Sequence, residues 1–490
     1  MKNISQLILK DEYNEYFLER DVKISSICYD SRKCSQGSLF VAIPGEKFDG
    51  HDFIDNAIEK GASAVICQKI PDNARSLGTA FIKVNNSRKM LAKISNRWYD
   101  DPSKKMRIIG VTGTNGKTTI TYLIKSIFEQ NGEKCGIIGT TGIILPDEEI
   151  KATHTTPESL ELCGHLAYMR EKGISTVVME VSSHALVQHR VFGINFNASL
   201  FTNLTHEHLD YHDSLEEYAK AKKILFDMLP KDGIALVHDL SEESGIMVKD
   251  TIASIKYTVG RRSTSDIKIN NEKMLTDRSE FDLIFNKKRL HISTPLIGKF
   301  NIENAALAAS LGWITGVDYE NIKQGIKKSL GAPGRMQRIA LKNGAVGVVD
   351  YAHTPDALEK ALQACREVLV ASETKGNLIC VFGCGGDRDS SKRPKMGKIA
   401  TELSDISIIT NDNPRTEDPQ KIFSDILKGI NSSSNYEIIP GRKDAIKKAC
   451  TLSGEKDLIL IAGKGHETYQ IIGTTRHHFD DFEELKKFDE

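Results

Sequence analysis

The sequence predicts an α/β protein of three domains, and three observations carry that expectation. A glycine-rich turn, Gly113-Thr-Asn-Gly-Lys-Thr-Thr119, separates the apolar run 108–112 from a helix-forming stretch, 118–130. Apolar runs and helical stretches alternate in two series along the chain, with a break at Ala332-Pro-Gly-Arg335. At 490 residues the chain is also too long for one hydrophobic core and divides into roughly three domains of about 150 residues each.

Residues 1–103 form the first and smallest expected domain. Short β-like runs at 38–43 and 64–67 flank a helical stretch at 53–60, and the turn-rich segment 99–103 reads as a linker. Residues 104–333 form the central domain. Strand-like runs at 107–112, 135–139, 176–181, 199–203 and 233–238 are separated by helical or polar segments, the pattern of a parallel α/β sheet. Residues 334–490 repeat the pattern in a Rossmann-like domain. Its apolar runs lie at 347–349, 378–382, 406–410 and 458–462, with helical stretches at 355–368 and 419–430.

Position in the sheet gives the glycine-rich turn its chemistry. A loop between a strand and a helix N-terminus directs backbone N–H groups and the positive end of the helix dipole at an anion. Lys117 then reaches terminal phosphates, and the Thr118 hydroxyl can ligate an accompanying magnesium ion. The usual phosphate loop has four residues between its glycine and Gly-Lys-Ser/Thr, whereas only Thr114-Asn115 intervene here. The expectation is ATP binding at Gly113, Thr114, Asn115, Gly116, Lys117, Thr118 and Thr119.

The C-terminal series points to a second ligand. Three of its strands run into polar loops bearing glycine or proline: Gly383-Cys-Gly-Gly-Asp-Arg388, Asn411-Asp-Asn-Pro-Arg415 and Gly463-Lys-Gly-His-Glu467. Ligands of open parallel sheets bind outside the carboxyl ends of the strands, so the three loops should share one rim.

Composition narrows the partners. Lys plus Arg and Asp plus Glu are both 66, which leaves no electrostatic footprint for nucleic acid or an acidic membrane. Small-molecule substrates are expected instead. The nine cysteines are scattered and show no CxxC pairing, so reduced, buried thiols are expected rather than a disulfide framework or a structural zinc site. No apolar run approaches a membrane span, and the N-terminus lacks the features of a signal peptide; a cytoplasmic protein is expected.

Three further segments carry chemistry. Glu180 closes the apolar run Val177-Val-Met-Glu180, where a carboxylate would face the phosphates, although a surface glutamate would fit the same pattern. The segment from His206 to His212 crowds three histidines and two acids, which suits a metal loop or a solvated one. Lysines at 220, 222 and 223 lie on a helix whose default reading is a solvated face.

Taken together, Gly113–Thr119, Met179-Glu-Val-Ser-Ser-His-Ala-Leu186, Glu207-His-Leu-Asp-Tyr-His212, Ala221-Lys-Lys-Ile-Leu-Phe226, Asn301-Ile-Glu-Asn304, Gly334-Arg335-Met336 and Asp350-Tyr-Ala-His-Thr-Pro355 resemble the Mur ligases of bacterial cell-wall synthesis. Asp30-Ser-Arg32 with Gly50-His51, Thr155-Thr-Pro157, Asp412-Asn-Pro-Arg415 and Gly463-Lys-Gly-His-Glu467 are similar to the MurE type within that family, and the resemblance spans essentially the whole chain.

The resemblance implies an ATP-dependent, ADP-forming amide ligase of peptidoglycan precursor synthesis. It would add meso-diaminopimelate to the D-Glu side-chain carboxylate of UDP-MurNAc-L-Ala-D-Glu through an acyl phosphate, and domain closure would gate the reaction. Magnesium would be held by Thr118, Glu180, His208 and Lys222, the last as a carbamate (N6-carboxylysine). Lys117, Lys222, His208 and Glu180 would be the catalytic set. One departure is the His206-Glu207 pair, where the family commonly has Arg-Asp.

By the same resemblance, Asn301, Asn304, Arg335, Asp350 and His353 would complete the ATP site. Ser31, Glu46, Lys47, Phe48, Thr155, Thr156, Ser182, Gln188 and Arg190 would hold the UDP-MurNAc-dipeptide. Arg388, Asp412, Asn413, Pro414, Arg415, Gly463 and Glu467 would hold diaminopimelate, with the Arg415 fork on its distal carboxylate. The enzyme would act as a monomer. A lysine-adding ligase, folylpolyglutamate synthetase and a non-ligating ATPase switch are the alternatives.

Overall fold

The computed structural model describes residues 1–17, 21–45, 48–205, 214–239, 243–373, 375–431 and 433–489. They fall into two compact units, Met1–Asn115 with Glu133–Lys256, and Gly116–Gly132 with Tyr257–Glu490.

Besides the short pairing of Lys2–Asn3 with Lys23–Ile24, two larger sheets lie in the first unit. One has the strand order Glu15–Phe17, Ala80–Lys83, Ala62–Cys67, Ser38–Val41, Ser26–Cys28, parallel except where Glu15–Phe17 joins it. Its middle strands coincide with the apolar runs read from the sequence. Helix Ser87–Trp98 begins at Asn86, whose side chain accepts the Lys89 N–H, and buries Met90, Leu91 and Ile94 in the core on one face. At the expected linker, Asp100 and Asp101 take left-handed conformations, φ 58° and 49°, and turn the chain into the next sheet.

In that sheet Arg107–Thr112 lies between Thr176–Glu180 and Ala198–Phe201, with Cys135–Gly139 and Ile234–His238 beyond them, all parallel. These strands are buried along nearly their whole length, which is why they read as continuous apolar runs and not as alternating patterns. Strands Gly142–Leu145 and Glu148–Ile150 continue the sheet in antiparallel fashion, which the expectation of a parallel sheet did not include.

The second unit opens with helix Lys117–Gln130, packed on helices Lys299–Ile314 and Tyr319–Lys328. Gly325 allows that approach: a Cβ there would lie 2.6 Å from the Ile127 Cα. Strand Ile267–Met274 pairs in parallel with Ile255–Gly260 at Val259 and Gly260, and then in antiparallel fashion through Ser279–Phe285 to Lys288–Thr294.

A six-stranded sheet follows, in the order Gln337–Ala340, Val346–Asp350, Leu458–Ala462, Leu378–Phe382, Ile406–Ile409, Tyr436–Ile438. Only its first pairing is antiparallel. Helix Pro355–Ala371 starts with proline at its first position and Thr354 as the cap, and packs Leu358, Leu362 and Val368 into the core on one face of the sheet. A second cluster, with Val349, Ile446 and Ile461, covers the other face.

One cysteine expectation is corrected. Cys28 and Cys34 form a disulfide, because the turn Ser31–Lys33 folds the chain back and brings their Cα atoms to 5.9 Å. The other seven cysteines are buried thiols. No helix among the described residues is long and apolar enough to cross a membrane.

Candidate active site

In the first unit, the strand Arg107–Thr112 runs out into Gly113 at φ 139°, where any Cβ would collide with the Thr202 side chain. Glycine is therefore required for the strand to turn so tightly. The loop is held by the end of the neighbouring strand: Thr114 N–H donates to Asn203 O at 2.8 Å, Asn115 N–H to Asn203 Oδ1 at 3.0 Å, and Thr202 Oγ1 to Asn115 O at 2.6 Å.

Lys222 approaches the same loop. Helix Leu215–Asp227 places Tyr218, Ala221, Lys222 and Leu225 on one buried stripe, at helical spacings of three and four residues. Lys220 stays exposed beside Glu216 and Glu217, and Lys223 pairs with Asp227 on the helix surface. Lys222 alone turns inward. It is 1% exposed, donates from Nζ to Gly113 O at 2.9 Å, and lies 4.1 Å from the centre of the Tyr218 ring.

Glu180 is buried at the end of its strand, so a surface role does not apply. Its Oε1 accepts the Thr140 N–H at 2.8 Å and its Oε2 the Thr140 hydroxyl at 3.2 Å. Thr155 Oγ1 lies 3.1 Å from that same hydroxyl, and Thr156 Oγ1 donates to Glu180 O at 2.9 Å. Ser182 N–H donates to Thr156 Oγ1, and Arg190 reaches Thr156 O at 3.0 Å and Gln188 Oε1 at 2.7 Å. Thr155, Thr156, Glu180, Ser182, Gln188 and Arg190 thus form one connected polar cluster.

Ser31 and Phe48 lie elsewhere in this unit. Ser31 is buried in the Asp30-capped turn, whereas Phe48 is exposed. Glu46, Lys47 and His208 lie outside the described residues, as do His206, Glu207 and His212.

In the second unit, Gly116 has φ 87° and approaches Asn304 so closely that a Cβ would strike its Oδ1. Lys117, Thr118 and Thr119 follow as the first residues of helix Lys117–Gln130. Asn304 is not a helix cap. It is buried in the second turn of Lys299–Ile314, where its Nδ2 donates to Asn301 Oδ1 at 3.1 Å, and Asn301 in turn donates to Ile297 O.

Asp350 ends a sheet strand and accepts the N–H groups of Met336 and Ala352, while burial pushes its carboxyl above the usual range. The Arg335 guanidinium and the His353 and His466 rings gather on Tyr351.

The three C-terminal loops meet at one rim. Arg415 donates to Gly386 O at 2.8 Å, Asn413 donates to Glu467 Oε2 at 2.9 Å, and a Cβ on Gly463 would sit 2.7 Å from Asp412 Oδ2. Pro414 is buried between them. Neither Arg415 nor Arg388 pairs with a carboxylate among the described residues, so both guanidinium charges remain available to an anionic ligand.

Sequence reasoning passed over Thr140, Lys464 and His466. Thr140 carried a usable signal, since it follows directly on the strand Cys135–Gly139. His466 is half-buried, its buried Nδ1 has no hydrogen-bond partner among the described residues, and burial together with Arg335 holds its imidazole below the usual value.

No cluster of three or more His, Cys, Asp or Glu suited to a metal appears among the described residues. Thr118 and Glu180 are oxygen donors of the kind magnesium prefers. An ammonium at Lys222 opposes a cation, whereas a carbamate there would be a further oxygen donor of that kind.

Sheet, glycine-rich loop and helix together define an α/β protein of the phosphate-loop, nucleotide-binding class. Family models match three stretches: the Mur ligase family catalytic domain over 23–99, the Mur ligase middle domain over 111–312, and the Mur ligase glutamate ligase domain over 334–465. The chain belongs to the Mur ligase family.

It is 45% identical over 471 residues to UDP-N-acetylmuramoyl-L-alanyl-D-glutamate--2,6-diaminopimelate ligase 1 of Clostridium acetobutylicum, covering 96% of this chain and 95% of that one. The ligase of the same description from Clostridium tetani is 43% identical, with 99% and 98% covered. Among solved structures, a UDP-N-acetylmuramoyl-L-alanyl-D-glutamate--2,6-diaminopimelate ligase superposes with a TM-score of 0.72 at 33% identity, covering 96% of each chain.

Proposed function

We propose that this chain is an ATP-dependent amide ligase that joins meso-diaminopimelate to the D-Glu side-chain carboxylate of UDP-MurNAc-L-Ala-D-Glu, in peptidoglycan precursor synthesis. The observation that carries this reading is the 45% identity to a diaminopimelate ligase over nearly the whole of both chains. The unpaired Arg415 fork supports diaminopimelate over lysine, whose side chain has no distal carboxylate to receive it.

A carboxylate is a poor electrophile, and the reaction answers this in two steps. The D-Glu carboxylate oxygen attacks the γ-phosphorus of ATP, the bond to the bridging oxygen breaks, and ADP leaves. The amine of diaminopimelate then attacks the acyl carbon, the tetrahedral adduct expels phosphate, and loss of a proton leaves the amide. Bringing a carboxylate to a triphosphate sets like charges together, so cationic and N–H groups must gather at the phosphoryl group.

Loop residues 113–119 would cradle the phosphates with Lys117, and Asn301, Asn304, Arg335, Asp350 and His353 would complete the nucleotide site. Thr118, Glu180, His208 and a Lys222 carbamate would hold magnesium, which neutralises phosphate charge when bound.

Ser31, the 46–48 loop, Thr155, Thr156, Ser182, Gln188 and Arg190 would bind the UDP-MurNAc-dipeptide. Arg388, Asp412, Asn413, Pro414, Arg415, Gly463 and Glu467 would bind diaminopimelate. Named for their principal ligands, the proposed domains are a UDP-MurNAc-binding one over residues 1–103, an ATP-binding one over 104–333 and an amino-acid-binding one over 334–490, in a cytoplasmic monomer.

The acyl phosphate makes a specific demand. With heavy oxygen in the D-Glu side-chain carboxylate, one labelled atom per turnover should emerge in inorganic phosphate. Phosphate free of label would reject the acyl-phosphate route.

A further inference from the structure

Lys464 has no role in the reaction as set out above, yet it is a fully enclosed charge at the C-terminal rim. It stands between two glycines in the loop after Leu458–Ala462, and its side chain is 0% exposed. Its Nζ donates to Asn413 Oδ1 and to Glu467 Oε2, both at 3.2 Å, and lies 5.6 Å from the centre of the Tyr469 ring.

Around that ammonium the loops interlock. Asn413 Oδ1 also accepts the Ile471 N–H at 2.9 Å, and its Nδ2 donates to Glu467 Oε2. Glu467 therefore has one oxygen held by two donors, while Oε1 makes no hydrogen bond among the described residues and the side chain keeps 19% exposure. A carboxylate tethered through one oxygen and open at the other is fixed in direction, ready for a cation from solvent.

We infer that Lys464 is a positioning residue for the incoming amino acid: its buried ammonium ties Asn413 to Glu467 and aims Glu467 Oε1 at the substrate's distal ammonium. The inference rests on the proposed placement of the amino acid at this rim. Burial of an ammonium is costly unless it is paired and hydrogen-bonded, and the contacts that compensate Lys464 are the same contacts that orient Glu467. Lys464 touches no substrate itself and acts through its neighbours.

Steady-state kinetics of Lys464→Met, Lys464→Gln, Glu467→Gln and the Lys464→Met/Glu467→Gln double variant test this, with thermal melting as the check on folding. Lys464→Met should raise KM for meso-diaminopimelate by about tenfold or more and leave KM for ATP within about twofold, since the charge-assisted bond between Glu467 and the substrate loses its alignment. Lys464→Gln retains a donor and should fall between wild type and Lys464→Met. In the Glu467→Gln background, Lys464→Met should add little, because its effect passes through Glu467.

Equal rises in both KM values, full additivity in the double variant, or failure of both single Lys464 variants to fold would overturn the inference. Failure of the functional reading is distinguishable, because wild-type enzyme would then not consume meso-diaminopimelate at all.

Discussion

Residue by residue, the proposed chemistry turns on two side chains with contrasting surroundings. Lys222 is enclosed between the Gly113 carbonyl and the Tyr218 ring, a setting that holds an ammonium, and that ammonium would repel a bound metal cation. Reaction with carbon dioxide would reverse its charge. Lys222→Ala should accordingly remove most turnover while the melting temperature stays near wild type, and a small added carboxylate such as formate should restore part of the rate. Full activity in that variant would remove the carbamate from the account.

Arg415 is the opposite case, a guanidinium whose hydrogen bonds among the described residues go to backbone carbonyls alone. Arg415→Ala should raise KM for diaminopimelate about tenfold or more, the equivalent of about 1.5–3 kcal/mol for a charge-assisted hydrogen bond, with ATP binding untouched. Comparing the two KM values in one preparation checks this directly.

Among the elements, loop and helix termini at the C-terminal sheet are fastened by ion pairs, and one of them makes stability depend on pH. Arg393 is buried in helix Lys392–Leu403 and pairs with Glu417 at 2.7 Å and Asp425 at 3.0 Å. The Arg393 side chain holds Glu417 down to about 2, against an ordinary 4.5. A carboxyl whose folded value is depressed stabilises the fold above its unfolded value. That contribution is lost as pH falls from about 4.5 towards 2. Glu417→Gln should lower the urea midpoint at neutral pH, and the gap to wild type should close over that interval. A gap constant with pH would refute the assignment.

The elements also show where sequence was legible. Strands buried on both faces, such as Arg107–Thr112 and Leu378–Phe382, stand out as apolar runs because nothing along them meets water. Ile267–Met274 does not. Five of its eight residues are polar or charged, four of them in the run Asn-Asn-Glu-Lys, and its burial fades towards the hairpin, so no apolar run marks it.

The site divides in the same way. Glycine-bearing loops at strand ends announced themselves. Lys222 stood out among three lysines only through the resemblance to the Mur ligases, its inward turn being a matter of helical phase with Tyr218, Ala221 and Leu225, and Lys464 gave no sign that it would be buried. Burial of a single charge is decided by long-range packing, which local composition does not encode.

As a whole, the proposed ligase takes three substrates on one chain, and the chemistry of each depends on the others. An ATPase switch would release phosphate without an acceptor, and a lysine-adding ligase would accept the simpler diamine. The family assignment and the near full-length similarity to diaminopimelate ligases place this chain among enzymes named for amide formation. The selectivity proposed for it rests on the rim that carries Arg415 and Glu467.

The most direct test is product mass from purified protein incubated with ATP, UDP-MurNAc-L-Ala-D-Glu and either meso-diaminopimelate or L-lysine. The account predicts a UDP-MurNAc-tripeptide containing diaminopimelate, with one phosphate released per amide formed and little product from lysine. Phosphate release that proceeds without the dipeptide, or equal yields from the two amino acids, would contradict it.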